Sequence, residues 1–332
     1  MTLTRLHKED YRDRDSYLAR YGALLTKALH LLDHGFTARL ERISPDIARQ
    51  ISATKSEAAR HALAYGRFEE MILDTYSLIP NIQKVVRKAY DQYGWSRESS
   101  PNLMTYTNSA SNLFHTYLTT RDRDLKAITL DDVDGFKKEV KTLSVETASR
   151  GYIKLLFERI YNEDNLFIKI FDIEPLWNKS PTSAFQAIQK VSTTMVHPGN
   201  INPLATNLKI VLQSEKLQTV CNIVGWVANE YSVAEADEEE SPFTHKCREY
   251  AARLLVEHLW PFIDSAFEAD IINSITKGAA PDAALKMAPA KDGVASSNAH
   301  PLVKRALELL IMFDQAMPKE RSVGSPIIFV YD

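Results

Sequence analysis

An all-α fold is what this sequence predicts, and three observations carry the prediction. Glycine supplies 11 of 332 residues, about half its usual share of ~7%, which argues against sheet-rich folds with many tight turns. Apolar residues recur at three- and four-residue steps along most of the chain, the spacing that lines one face of a helix. Ser-Pro or Asn-Pro pairs stand at 44–45, 100–101, 180–181, 202–203 and 241–242. Proline is favoured at the first helical position because its missing N–H would be unsatisfied there anyway. The serine or asparagine before it supplies a capping oxygen.

Each element follows from these rules. The first helix is set by Leu18, Tyr21, Leu25, Ala28, Leu29, Leu32 and Phe36, with Arg20, Lys27, Asp33 and Arg39 between them. Leu25, Leu29 and Leu32 are either core or a partner surface. Ile153, Leu156, Phe157 and Ile160, then Leu166, Phe167, Ile170 and Phe171, mark a central helix. Later stripes are Leu204, Leu208, Val211 and Leu212; Val220, Val224 and Val227; and Tyr250, Leu254, His258 and Phe262. The last four Pro pairs each precede such a run and read as helix starts. Pro80 and Pro261 fall inside helical patterns and are expected to kink or split them. Three stretches lack the pattern: the acidic link 235–241, the Ala/Pro/Ser/Gly-rich stretch 278–299, and the β-branched tail 324–332. The expected organisation is an N-terminal helical segment at 1–93, a divergent connecting segment at 94–130 and a central bundle at 131–277. A low-complexity linker at 278–299 and a C-terminal helix with apolar tail at 300–332 follow.

Composition mainly excludes. Lys plus Arg is 40 against 43 Asp plus Glu, a net charge of −3, and nucleic-acid binders usually show a basic excess or stripe. Two cysteines, Cys221 and Cys247, cannot frame a chain this long with disulfides and point to a reducing compartment. Residues 1–10 contain no apolar signal core, and no stretch approaches 18 apolar residues.

Candidate chemistry is thin. His30 and His34 have the i, i+4 spacing of a zinc-binding helix face, but no glutamate follows His30 and no third ligand is identifiable. His245, Cys247 and His258 make a looser group in which an isolated buried thiol is the simpler reading. Asp131, Asp132 and Asp134 resemble the aspartate-rich Mg²⁺ motif of helical isoprenoid synthases, except that position 135 is glycine. Carboxylates in the first turn of a helix, where they complement its dipole, explain the same three residues without a metal. No phosphate loop, dinucleotide fingerprint or nucleophile elbow is present. The expectation is therefore no enzyme, with no catalytic, cofactor-binding or metal residue assigned and no cofactor required.

Several blocks do carry a family likeness. Tyr17-Leu-Ala-Arg-Tyr-Gly-Ala-Leu-Leu-Thr-Lys-Ala-Leu-His-Leu-Leu32, preceded by Lys8-Glu-Asp-Tyr11, is one. Arg150-Gly151, followed by Asn162-Glu-Asp-Asn-Leu-Phe167 and Phe171, is the next. Glu215-Lys-Leu-Gln-Thr-Val-Cys-Asn-Ile223 and Pro301-Leu-Val-Lys-Arg-Ala-Leu307 complete the order. Together they resemble the third-subunit family of the conserved oligomeric Golgi (COG) tethering complex, over about two-thirds of the chain. The resemblance implies elongated stacked helical bundles and a non-enzymatic role in intra-Golgi retrograde vesicle transport. It implies peripheral attachment to the cytosolic face of the Golgi membrane, with a cytosolic pool. The implied partners are other COG subunits, SNARE fusion proteins, Rab GTPases and golgins, with no nucleic acid. The blocks also suggest a fragment or truncated form. The alternatives are a generic helical adaptor and, behind it, a Mg-dependent helical enzyme built on Asp131, Asp132 and Asp134.

Overall fold

The computed structural model describes residues 12–75, 77–97, 102–174, 182–191, 200–231, 241–277 and 300–316. Among these residues the structure is helical, and the one β feature is an isolated antiparallel bridge between Tyr90 and Ser96. The all-α reading therefore holds. The link at 235–240, the stretch 278–299, the tail 324–332 and the pairs Ser100-Pro101 and Ser180-Pro181 lie outside the described residues.

The chain divides into two compact units. The first comprises Met1–Gly135 and Leu155–Pro203, the second Phe136–Lys154 and Leu204–Asp332.

In the first unit, α1 (Arg14–Ala53) buries Leu29, Phe36, Leu40, Ile43, Ile47 and Ile51, one stripe at helical spacing. Leu29 is core, and Leu32 packs beside it. Pro45 sits inside α1, so the Ser44-Pro45 pair starts no helix here. Next come α2 (Glu57–Ala62), a π-helical segment at Leu63–Arg67 and α3 (Phe68–Leu73) without a break. Helix α4 (Leu78–Ala89) holds Pro80 in its first turn, where the missing N–H is harmless and no kink follows. A turn at 91–95 then uses Gly94 at φ 81, a left-handed conformation that glycine adopts without a Cβ clash. The Asp91 carboxylate accepts from the backbone N–H groups of Tyr93 and Trp95.

Helix α5 (Leu103–Thr142) follows left-handed Asn102, and α6 (Val145–Phe171) ends at left-handed Asp172. Both placements suit short polar side chains that tolerate positive φ. The boundary expected between 130 and 131 falls inside α5. Nothing between 103 and 134 interrupts that helix, because it contains neither proline nor glycine there. Helix α7 (Ala184–Gln189) is capped by Ser183 through the Gln186 N–H, three residues later than the Ser180-Pro181 pair. The core is aromatic: Phe114 meets Phe171 edge-on at 4.9 Å and Phe167 at 5.2 Å, and Tyr117 meets Phe171 at 5.6 Å.

In the second unit, Phe136 stacks on Tyr152 at 4.3 Å. Helices α8 (Asn202–Leu212) and α9 (Leu217–Glu230) bury Leu204, Leu208 and Leu212, and Val220, Val224 and Val227, as their spacing predicts. Helix α10 (Pro242–Leu254) has the expected Pro at its start, with Ser241 accepting from the Thr244 N–H at 3.2 Å. It continues through a π-helical segment at Leu255–Leu259 into α11 (Trp260–Ile271), and a second such segment follows at Ile272–Thr276. The stripe expected to run Tyr250, Leu254, His258, Phe262 instead passes from Leu254 to Leu259, Ile263 and Phe267. Pro261 explains the change. It removes one helical N–H and its ring crowds the carbonyl four residues back, and the wider π spacing accommodates both. Helix α12 (Pro301–Ala316) packs Leu309 inward and sets Phe313 edge-on to Phe267 at 5.2 Å.

Candidate functional site

The polar chemistry of the first unit converges on Arg121 of α5, which is 1% exposed, beside fully buried Glu163 of α6. The guanidinium donates through Nη2 to Glu163 Oε1 at 2.5 Å and through Nε to Oε2 at 3.3 Å. Its third arm donates to the Ala64 carbonyl at 2.9 Å, inside the π-helical segment. Phe68 lies 4.3 Å from the guanidinium carbon and Tyr65 lies 5.4 Å from it, so aromatic faces cover the cation. Burial opposes the positive charge, but Glu163 outweighs it and holds the guanidinium above its usual pKa. Burial likewise pushes the Tyr117 hydroxyl well above its ordinary value.

About three turns further along α5, the aspartates of the expected metal motif are already engaged. Asp132 receives two hydrogen bonds from Arg159, both at 3.2 Å, and Asp131 binds Arg60 at 2.6 Å. Burial raises the Asp132 carboxyl pKa although Arg159 pulls it down. These residues sit deep in α5 rather than in a helix's first turn, so the dipole explanation is corrected. Their role is to tie α5 to α2 and α6. Asp134 is exposed. Nearby, His61 contacts Asn162 at 3.2 Å and Glu158 at 3.9 Å, and burial lowers its pKa. A further link joins α1 to α5, where Ser44 Oγ donates to Asp124 at 2.5 Å and accepts from Arg123 at 2.7 Å.

The other sequence candidates do not assemble. His30 and His34 are both exposed on α1. His245 is exposed, Cys247 is buried, and His258 lies in a π-helical segment. Among the described residues no group of three His, Cys, Asp or Glu side chains is placed to hold a metal. Burial pushes both thiols, Cys221 and Cys247, up to about 11, so they stay protonated and weakly nucleophilic near neutrality. His258 is lowered to about 4, first by burial and then by Lys209 and Arg253.

Arg121 and Arg159 carry no sequence expectation, Ser44 is expected only as a cap before Pro45, and Glu163 stands only inside the family block 162–167. A signal existed for Arg121 and Glu163 as a buried pair. Arg121 continues the stripe Phe114, Tyr117, Leu118, and Glu163 falls between Ile160 and Phe167, so each is a charge in an apolar row. Opposite charges in two such rows are the pattern of a buried pair.

A second surface chemistry lies in the other unit. Arg150 and Lys154 of α6 stand over the Trp226 ring at 5.3 and 5.5 Å, and Lys154 also binds Glu230 at 3.0 Å. Apolar side chains are also left outside. Val303, Leu307, Leu310 and Ile311 of α12 are each more than half exposed. Among the described residues no helix is long and apolar enough to cross a membrane.

Buried ion pairs lock these helices and apolar side chains line some exposed faces, the make-up of a helical scaffold. Residues 61–327, well over half of the chain, match the family described as conserved oligomeric Golgi complex subunit 3, C-terminal. The chain belongs to that family, and with it to the subunits of the Golgi vesicle-tethering complex. No curated protein and no solved structure matches it significantly.

Proposed function

We propose that this subunit works without catalysing a reaction, by holding other proteins against its helix faces. Membership of the family supports association with other subunits of the complex. The finer reading is that SNARE proteins, Rab GTPases and golgins meet the same chain, at the cytosolic face of the Golgi membrane. No side chain is assigned a catalytic, cofactor-binding or metal-binding role. The observation that carries the reading is the exposed row Val303, Leu307, Leu310 and Ile311 on α12. Apolar rows at helical spacing are the anchors by which helices dock against partners. The Mg-dependent reading is disfavoured because a cation at Asp131 and Asp132 would have to displace Arg60 and Arg159.

Affinity purification of the tagged chain from its own cells, read by mass spectrometry, tests this. Tethering subunits together with fusion proteins or Rab GTPases are expected. Leu310→Asp is expected to lose a subset of them while the fold persists. Recovery of no tethering subunit with a folded, soluble bait would overturn the reading.

A further inference from the structure

The N-terminal half of α1 has two apolar faces, and the core uses one. Leu18, Leu25 and Leu32 are half-buried and Leu29 is buried, with Leu32 packed against the core of the first unit. Tyr17, Tyr21, Leu24, Ala28 and Leu31 are exposed, with Leu24 at 60% and Leu31 at 65%. Their spacing alternates four and three residues, the seam of a two-stranded coiled coil. At about 100° per residue these five cluster within a narrow arc. The core stripe lies on one side of it, and Arg20, Lys27 and His34, all exposed, lie on the other. The acids of this N-terminal half stand elsewhere, and the first acid on the basic edge is Glu41, beyond the seam. Asp15 and Asp33 fall on the far side, and Asp33 accepts from Ser109 at 3.0 Å.

We infer that this seam receives an amphipathic helix of a partner protein that carries Asp or Glu along the edge meeting Arg20 and Lys27. Residues flanking a coiled-coil seam set partner choice, because each faces a flanking residue of the opposite helix. A second copy whose 17–31 seam overlaps this one supplies no acid in either orientation. In an antiparallel pair the basic edge meets itself, and in a parallel pair it meets Leu18, Leu25 and Leu32. An acidic-edged helix completes the charge pattern and covers the seam at once. The inference deepens the proposed role in holding partners and rests on it.

The test uses the full chain and two labelled synthetic peptides with the same apolar heptads, one with Glu at the flanking positions and one with Lys. Binding is read by fluorescence anisotropy at low and high salt. The Glu peptide is expected to bind about tenfold or more tighter than the Lys peptide, with the gap narrowing in salt. Arg20→Glu with Lys27→Glu is expected to reverse the preference. Leu24→Asp with Leu31→Asp is expected to abolish binding of both peptides without moving the unfolding midpoint, since both side chains are exposed. Equal binding of the two peptides, or binding of neither, would overturn the inference. So would a concentration-dependent dimer, seen by sedimentation, that Leu24→Asp dissolves. A chain that prefers the Glu peptide yet recovers no tethering subunit from cells separates the failure of the broader reading from the failure of this one.

Discussion

The two units of the chain solve the same packing problem with different chemistry. The first buries an Arg121–Glu163 pair, an Arg159–Asp132 pair and a Ser44–Asp124 link among aromatic rings. The second is filled chiefly by aliphatic side chains, with Leu204, Leu208, Val220, Val224, Leu259 and Ile263 at its centre. Aliphatic packing is non-directional and tolerates small slips, whereas a buried bidentate pair is satisfied in one helix register. The contrast teaches that register in the first unit is fixed by charge geometry and in the second by shape.

That contrast can be broken from the first unit. Glu163→Ala leaves a buried guanidinium without its carboxylate, and the expected loss is about 3–5 kcal/mol in urea unfolding. Replacing both partners by apolar residues of similar volume is expected to recover much of the loss. Failure of that double variant to recover would show that the Ala64 carbonyl and the covering rings depend on the cation itself. In the second unit Leu208→Ala, a truncation of a fully buried side chain, is expected to cost about 2–5 kcal/mol. Unlike the first case, there is no charged partner whose replacement could recover the loss.

Acid sharpens the comparison. His258 has its folded pKa lowered to about 4 from 6.5, so the unfolded chain takes up the proton first as pH falls. The stability this neutral histidine contributes is present above pH 6.5 and is lost progressively down to about pH 4, on the order of 3 kcal/mol. In the first unit His61 acts in the same direction, but Asp33 and Asp132, both raised by burial, act in the opposite one. Hydrogen exchange read by mass spectrometry at pH 7 and pH 4.5 is expected to show the second unit loosening more, and His258→Gln is expected to reduce the difference. The smallest effect is expected at the Trp226 surface. Lys154→Ala removes one half-exposed cation–π contact, and a loss of about 0.5 kcal/mol is expected in thermal unfolding.

Helical class was legible because the three- and four-residue apolar spacing is local, and Val220, Val224 and Val227 fell in the core as that spacing demands. The Ser241-Pro242 start was legible for the same reason, since a cap is decided within four residues. The partners of Asp131 and Asp132 were not legible. Arg60 lies 71 residues from Asp131, and Arg159 lies 27 residues from Asp132. No local rule pairs residues that far apart. The short motif therefore looked like a metal site when its carboxylates were meeting arginines from other helices. Glu163 was hidden differently, because a charge inside an apolar row reads as an interruption until an opposite charge is found facing it. The outward seam of α1 was concealed by its neighbour, since both apolar faces merge into one broad stripe when only hydrophobicity is counted.

The π-helical segment at Leu255–Leu259 has a consequence for how this chain tolerates insertion and deletion. It acts as one additional residue threaded into a helix, turning everything beyond it by about 100° relative to an uninterrupted α-helix. Leu259, Ile263 and Phe267 point inward only because of that offset. Deleting a single residue within 255–259 would restore ordinary pitch and keep Leu259, Ile263 and Phe267 on the core face, whereas imposing ordinary pitch without a deletion would carry His258 and Phe262 there in their place. A one-codon deletion here is therefore absorbed in register, whereas the same deletion in the regular helix before it would exchange an entire buried face.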